Sequence, residues 1–246
     1  MRPLSILGFN TFVGDVERAA ASVVERARSG RRGHAVLGNV HVLVTAQHDR
    51  DLAHSLRAAW TVFPDGAPVA WLQRRRGRAA AQRIAGAELM LAVARAGERY
   101  GLRHAFFGGT PETLAALQRQ LTAEVPGIRI CAAVSPPFAP LDSLGSYADR
   151  VGTAGPDVVW VALGAPKQEV FMAQHGHRLG ALSLGVGAAF DFLSGAKPRA
   201  PRWMQRTGLE WAHRLASEPR RLAGRYLRTN SEFLVRAAVD LRKGRV

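Results

Sequence analysis

Trp60-Thr61-Val62-Phe63-Pro64-Asp65-Gly66 is the stretch on which the reading of the chain turns. Trp60 to Phe63 is apolar or β-branched and reads as a short buried strand. Pro64 stops it, Asp65 and Gly66 turn the chain, and an amphipathic run from Ala67 to Gln73 follows at once. Asp65 therefore stands at a strand end, on a tight turn, beside a helix start. In a parallel α/β sheet such strand ends hold the ligand crevice. A carboxylate there can serve as a general base. It can equally cap the helix or form the turn, since aspartate is preferred in both places.

Working outward, the same alternation repeats. Toward the N-terminus, Leu4 to Leu7 is a short strand, and Asp15 caps a helix running to about Ser29. Its apolar face is Val16, Ala19, Ala20, Val23, Val24 and Ala27. His34 to Val40 reads as a strand with Asn39 at its C-terminal end, and Asp49 caps the next helix. Toward the C-terminus, a basic loop of Arg74 to Arg78 leads to a helix behind Gly86. The strand His104 to Phe107 then meets Gly108-Gly109-Thr110-Pro111-Glu112, a good helix start. Further strands are read at 128–134, 157–163 and 181–186, with a weak helix at 143–151. The strands are continuous apolar runs, as expected when both faces are covered. The reading is an α/β fold: a mostly parallel, Rossmann-like sheet with helices on both faces, plus a C-terminal helical appendage. The division expected is a catalytic core over residues 1–195 and a basic appendage over 196–246.

Composition narrows the function. The 246 residues include one cysteine, Cys131, so neither a disulfide framework nor a cysteine-rich zinc site is available. Met1 to Phe12 gives no signal-peptide signature, and no run approaches the ~20 apolar residues of a membrane span. A cytoplasmic protein, soluble or peripheral on a membrane, is expected. Lysine and arginine number 34 against 19 acids, a net charge of +15. From Lys197 onward there are 13 basic and 4 acidic residues, so the last fifth holds +9 of that excess. Such a segment suits phosphates: nucleic acid, anionic lipid or a phosphorylated substrate. From Pro219, the residues Leu222, Tyr226, Phe233, Leu234, Ala237 and Leu241 fall on one helical face and Arg221, Arg225, Arg228 and Arg236 on the other. That pattern requires the helix to continue past Thr229-Asn230. A basic amphipathic helix of this kind can lie on an anionic membrane, or pack on the domain with its arginines in water.

Several motifs carry candidate chemistry. Asp49-Arg50-Asp51 imitates the Asp-x-Asp metal motif of sugar-nucleotide enzymes, but both aspartates sit where a cap and a first-turn acid belong. His175 and His177 are two apart and point to different helix faces, so no metal site is read there. Gly108-Gly109 and Gly185-x-Gly187 follow strands and could receive a diphosphate, and Asp191 is a further donor-side candidate. Neither completes the Gly-x-Gly-x-x-Gly fingerprint. Lys167 and Gln168 open a helix directly after a buried strand and can reach the same crevice.

Taken in order, these segments resemble one family. They are Pro64-Asp65-Gly66, Arg83-Ile84-Ala85-Gly86-Ala87-Glu88, Phe107-Gly108-Gly109 and Ser135-Pro136-Pro137-Phe138. Leu163-Gly164-Ala165-Pro166-Lys167-Gln168-Glu169 and Gly185-Val186-Gly187-Ala188-Ala189-Phe190-Asp191-Phe192 follow. Then come Arg199-Ala200-Pro201-Arg202-Trp203 to Trp211, and Glu218-Pro219-Arg220-Arg221-Leu222 with Arg225-Tyr226-Leu227. The pattern resembles the WecG/TagA/CpsF glycosyltransferases (glycosyltransferase family 26) over nearly the whole chain.

The resemblance implies a metal-independent, inverting hexosyl transfer without a cofactor. The sugar, of the N-acetylmannosamine type or its uronic acid, would pass from a UDP-sugar to an undecaprenyl-diphosphate-linked saccharide. The products would be wall teichoic acid, enterobacterial common antigen or exopolysaccharide. It implies Asp65 as the base, Asn39, Arg83 and Gln168 as pocket residues, and Arg220, Arg221 and Arg225 as contacts from a membrane-facing appendage. Homo-oligomerisation is left open. Leu37 departs from the pattern, since the family usually has a threonine there. Another UDP-hexose or UDP-uronic acid donor is the alternative. A basic nucleic-acid-binding protein is a remote one, supported by charge alone. A nucleotide-dependent oxidoreductase lacks its glycine fingerprint.

Overall fold

Odd and even residues of the strands bury to opposite faces, and this sorts the apolar core into two layers. In the strand Arg103–Gly108 (β5), Ala105 and Phe107 enter one layer and Phe106 the other. In Val158–Ala162 (β7), Val159 and Val161 part from Val158 and Trp160 in the same way. The computed structural model describes residues 3–201, 203–204, 210–217 and 219–243.

The remaining strands are Leu4–Ile6 (β1), Phe9–Thr11 (β2), Gly33–Gly38 (β3), Thr61–Pro64 (β4), Arg129–Val134 (β6) and Leu182–Gly185 (β8). All eight form one sheet in the order β1-β2-β4-β3-β8-β7-β5-β6. Only the β1–β2 pair is antiparallel. One layer is covered by Val16–Arg28 (α1), Gly86–Glu98 (α5), Pro111–Glu124 (α6) and Ala189–Leu193 (α9). The other is covered by Val40–Thr45 (α2), Arg50–Ala58 (α3), Ala67–Arg75 (α4), Gly145–Thr153 (α7) and Lys167–Leu179 (α8). Glu210–Ser217 (α10) and Pro219–Lys243 (α11) complete the described elements. The α/β fold with a mostly parallel, helix-covered sheet is thus observed.

Two elements were not expected. Leu7 and Gly8 take positive φ, 50° and 85°, and turn β1 back into β2 as a hairpin. A leucine in that region is sterically disfavoured, so the turn carries only half its usual signal, at Gly8. The expected strand to Val40 ends at Gly38 instead. Val40-His41-Val42-Leu43-Val44-Thr45 is rich in β-branched residues, yet it forms α2, because the Asn39 side chain accepts the Val42 N–H (3.0 Å) and caps the helix.

In the appendage, α11 runs unbroken through Thr229-Asn230, as the amphipathic reading required. Phe233 and Ala237 are buried against α2 and α4. Leu234, assigned to the same apolar face, is 63 % exposed. Arg236, assigned to the water-facing side, bonds Gln47 at the end of α2 (3.2 Å) and Glu232 (2.7 Å). The buried face is therefore rotated from the one the full apolar set would define. Among the described residues, no helix is long and apolar enough to cross a membrane.

Candidate active site

The connections that follow the two central strands leave to opposite faces. β3 leads into α2, whose Val42 and Leu43 belong to one core layer, and β8 leads into α9, whose Phe190 belongs to the other. That divergence opens a crevice at the carboxyl ends of β3 and β8, flanked by the ends of β4 and β7. Asn39 follows β3, Asp65 follows β4, Lys167 and Gln168 follow β7, and Gly187 and Asp191 follow β8. Gly108 and Gly109 close β5 on the same edge.

Asp65 is not the helix cap. Gly66, at φ 97°, occupies that position and α4 receives no side-chain cap bond. The Asp65 N–H donates to the Gly38 carbonyl (3.2 Å), and the Ile84 N–H donates to the Pro64 carbonyl (2.8 Å). These bonds fix Asp65 between the end of β3 and the loop that carries Arg83. Arg83 bonds Glu210 of α10 and lies 3.2 Å from Glu88 of α5. Burial opposes the charge of Arg83. The bond to Glu210 and the charges of Glu88, Glu210 and Asp65 outweigh it, and hold the guanidinium above the ordinary arginine range. Arg199 reaches both acids, Glu88 at 2.6 Å and Glu210 at 3.8 Å. The C-terminal segment is thereby tied to the rim of the crevice beside Asp65.

The other expected residues are partly engaged by the protein itself. Asn39 uses Oδ1 for the α2 cap. Lys167 donates to the Ala139 carbonyl (2.6 Å), with its ammonium 4.8 Å from the Phe138 ring centre. That couples α8 to the loop after β6, where Phe138 is fully exposed. Asp191 pairs with Lys197 at 3.2 Å. Gly108 answers to packing: a Cβ there would sit 2.3 Å from the Ala162 carbonyl oxygen, and its φ is 112°. Gly109 accepts the Ser135 hydroxyl at its carbonyl (2.7 Å). Gln168 is 4 % exposed. Its Oε1 accepts the Gly187 N–H (3.1 Å) and its Nε2 donates to Glu169 (2.8 Å). The side chains of Arg220, Arg221 and Arg225 lie outside the described residues.

Asp49 caps α3 through the Leu52 N–H (3.0 Å) and Asp51 stands in its first turn, so the structural reading of Asp-x-Asp holds. Among the described residues, no group of three or more histidine, cysteine, aspartate or glutamate side chains is placed to hold a metal. Leu37 is buried in the core layer of α1 and α5.

Four residues escaped the sequence reading as members of the site. Glu88, Arg199 and Glu210 come from three separate segments, and only folding pairs them. Glu169 was visible only as a helix-opening acid after Lys167-Gln168. It is fully buried, and burial pushes its carboxyl up to about 7 against the opposing bond from Gln168.

A carboxylate on a turn, a paired arginine, a capping asparagine and two glycine turns thus share one edge of a parallel sheet. The chain matches the Glycosyl transferase WecG/TagA/CpsF family over residues 4–246, and it belongs to that family of glycosyltransferases, which act in cell-surface polysaccharide biosynthesis.

Proposed function

We propose that the protein is an inverting, metal-independent hexosyltransferase. It moves a sugar of the N-acetylmannosamine type, or its uronic acid, from UDP to an undecaprenyl-diphosphate-linked saccharide at the inner face of the cell membrane. The observation that carries this reading is the setting of Asp65: at a strand end in the crevice, relieved of helix capping by Gly66, and in electrostatic reach of Arg83.

In this mechanism the acceptor hydroxyl oxygen attacks the anomeric carbon from the face opposite UDP. Its proton passes to Asp65, a contribution of roughly 10²–10⁴-fold. The bond from the anomeric carbon to the diphosphate oxygen breaks, and UDP leaves with the electron pair. Cationic side chains and backbone N–H groups stabilise the developing charge. Lys167 at the start of α8 is assigned to the donor. Arg220, Arg221 and Arg225 are assigned to the acceptor's diphosphate, which bidentate guanidinium geometry suits. Another UDP-hexose or UDP-uronic acid donor is the second reading, left open by Leu37 at a position where the family usually has a threonine.

A screen of UDP-sugars on a lipid-linked acceptor, read by mass, identifies the donor. Asp65→Asn keeps size and turn chemistry and removes the base. Turnover should fall by ~10² or more while UDP affinity changes little. Near-parental turnover in that variant removes Asp65 from the mechanism.

A further inference from the structure

The first turn of α8 holds two adjacent buried polar side chains, Gln168 and Glu169. Gly187 presents an N–H to Gln168, at 3.1 Å. An N–H can only donate, so the carboxamide oxygen must face Gly187 and the nitrogen must face Glu169 Oε1, 2.8 Å away. The carboxamide is thus fixed at both ends by groups of defined sense. Its space is also defined. A Cβ on Gly185 would come within 3.1 Å of Gln168 Nε2, so the turn after β8 is built around this side chain. Ser55 of α3 pins the backbone from behind, donating to the Glu169 carbonyl at 2.6 Å.

Glu169 itself gains little from its position. Its carboxyl is fully buried, and Oε2 has no hydrogen-bond partner among the described residues. A buried polar atom left so is costly, and an apolar side chain of similar size would avoid the cost. What the carboxyl does provide is an acceptor that Gly187 cannot be mistaken for. Without it the carboxamide nitrogen loses its acceptor and the side chain is held by the Gly187 bond alone.

We propose that Glu169 is a positioning residue for the nucleotide-sugar pocket, acting through Gln168 to hold the Gly185–Gly187 turn at the crevice in the shape that receives the UDP moiety. The inference rests on the functional reading above. Glu169 touches no substrate. It anchors the nitrogen end of the Gln168 carboxamide, and Gln168 fixes the turn that follows the central strand.

The probe is UDP, with affinity measured by calorimetry on the whole chain. Glu169→Leu should weaken UDP binding by about tenfold or more and speed hydrogen exchange at the Gly187 amide. At saturating donor, turnover should fall much less. Glu169→Gln, which keeps an acceptor for Gln168, should recover most of the affinity and the amide protection. Since Glu169 acts only through Gln168, Gln168→Leu and the double variant Gln168→Leu/Glu169→Leu should bind UDP equally. That pair reads the coupling even if Glu169→Leu alone does not fold. A further tenfold loss in the double variant, or parental UDP affinity in a folded Glu169→Leu, overturns the inference and leaves the functional reading standing. A parent protein that binds no UDP overturns the functional reading and the inference with it.

Discussion

Two buried titratable groups pull stability in opposite directions with pH. His104 is buried in β5, with the Trp160 indole N–H donating to its Nδ1 (3.2 Å), and burial lowers its pKa to about 4. Between about pH 4 and 6.5 the unfolded chain binds this proton and the folded chain does not, so stability rises with pH across that window. Glu169 is the reverse. From about pH 4.5 to 7 the folded chain holds the proton and the unfolded chain has lost it, so stability falls as pH rises. Each limb is worth about 3 kcal/mol. Glu169→Gln removes the falling limb alone. In urea melts, the variant should gain about 3 kcal/mol on the parent between pH 4.5 and 7.5. A difference that stays constant over that range would mean Glu169 does not titrate there. The sequence announced neither group. A glutamate one residue past Lys167-Gln168 looks like a helix-start acid, and only the closure of α3, α8 and β3 over it makes it buried. Asp65 was legible because its neighbours in sequence, Pro64 and Gly66, already dictate the turn.

Helix starts were the most readable elements, because their signals are local. Asp15, Asp49 and Thr110 cap α1, α3 and α6 as their sequences foretell. The element least readable was α2, where β-branched composition and an N-cap asparagine disagree and the cap prevails. The β1–β2 hairpin was hidden for a related reason, since its turn uses a leucine where glycine is usual. The capping role of Asp49 has a direct consequence for metal dependence. Asp49→Ala should cost ~1 kcal/mol through the lost cap, and Asp51→Ala about 0.3–1 kcal/mol through the helix dipole, with transfer activity kept in both. EDTA should leave the parent's activity intact. Activity lost in chelator and restored by manganese or magnesium would return Asp49 and Asp51 to the site.

For the whole molecule, the charge map and the packing of α11 have to be considered together. The basic excess after Lys197 was plain from composition, and so was a helix of amphipathic pattern. Which residues it buries was not, because that depends on the surface offered by α2 and α4. Since Phe233 and Ala237 are buried there, deleting the appendage would also bare the core, and point substitutions test the membrane role more cleanly. Replacing Arg220, Arg221 and Arg225 by glutamine keeps helix propensity. The triple variant should remain folded and bind UDP, yet lose transfer to the lipid-linked acceptor. Its binding to anionic vesicles should be weaker than the parent's, and the parent's should fall with salt, since surface attraction is screened beyond ~8–10 Å. A triple variant that binds vesicles and turns over like the parent would sink the membrane role. One contact at this scale also sets an order of events. The Leu7 N–H, in the left-handed turn of the first hairpin, donates to the Asp240 carboxylate at 3.1 Å, across a separation of 233 residues. On a ribosome, the hairpin is made well before α11. The hairpin can pair with β4 and accept Gln47 and Arg76 at the Leu7 and Ser5 carbonyls before α11 exists, so the bond to Asp240 is the last of these ties to form.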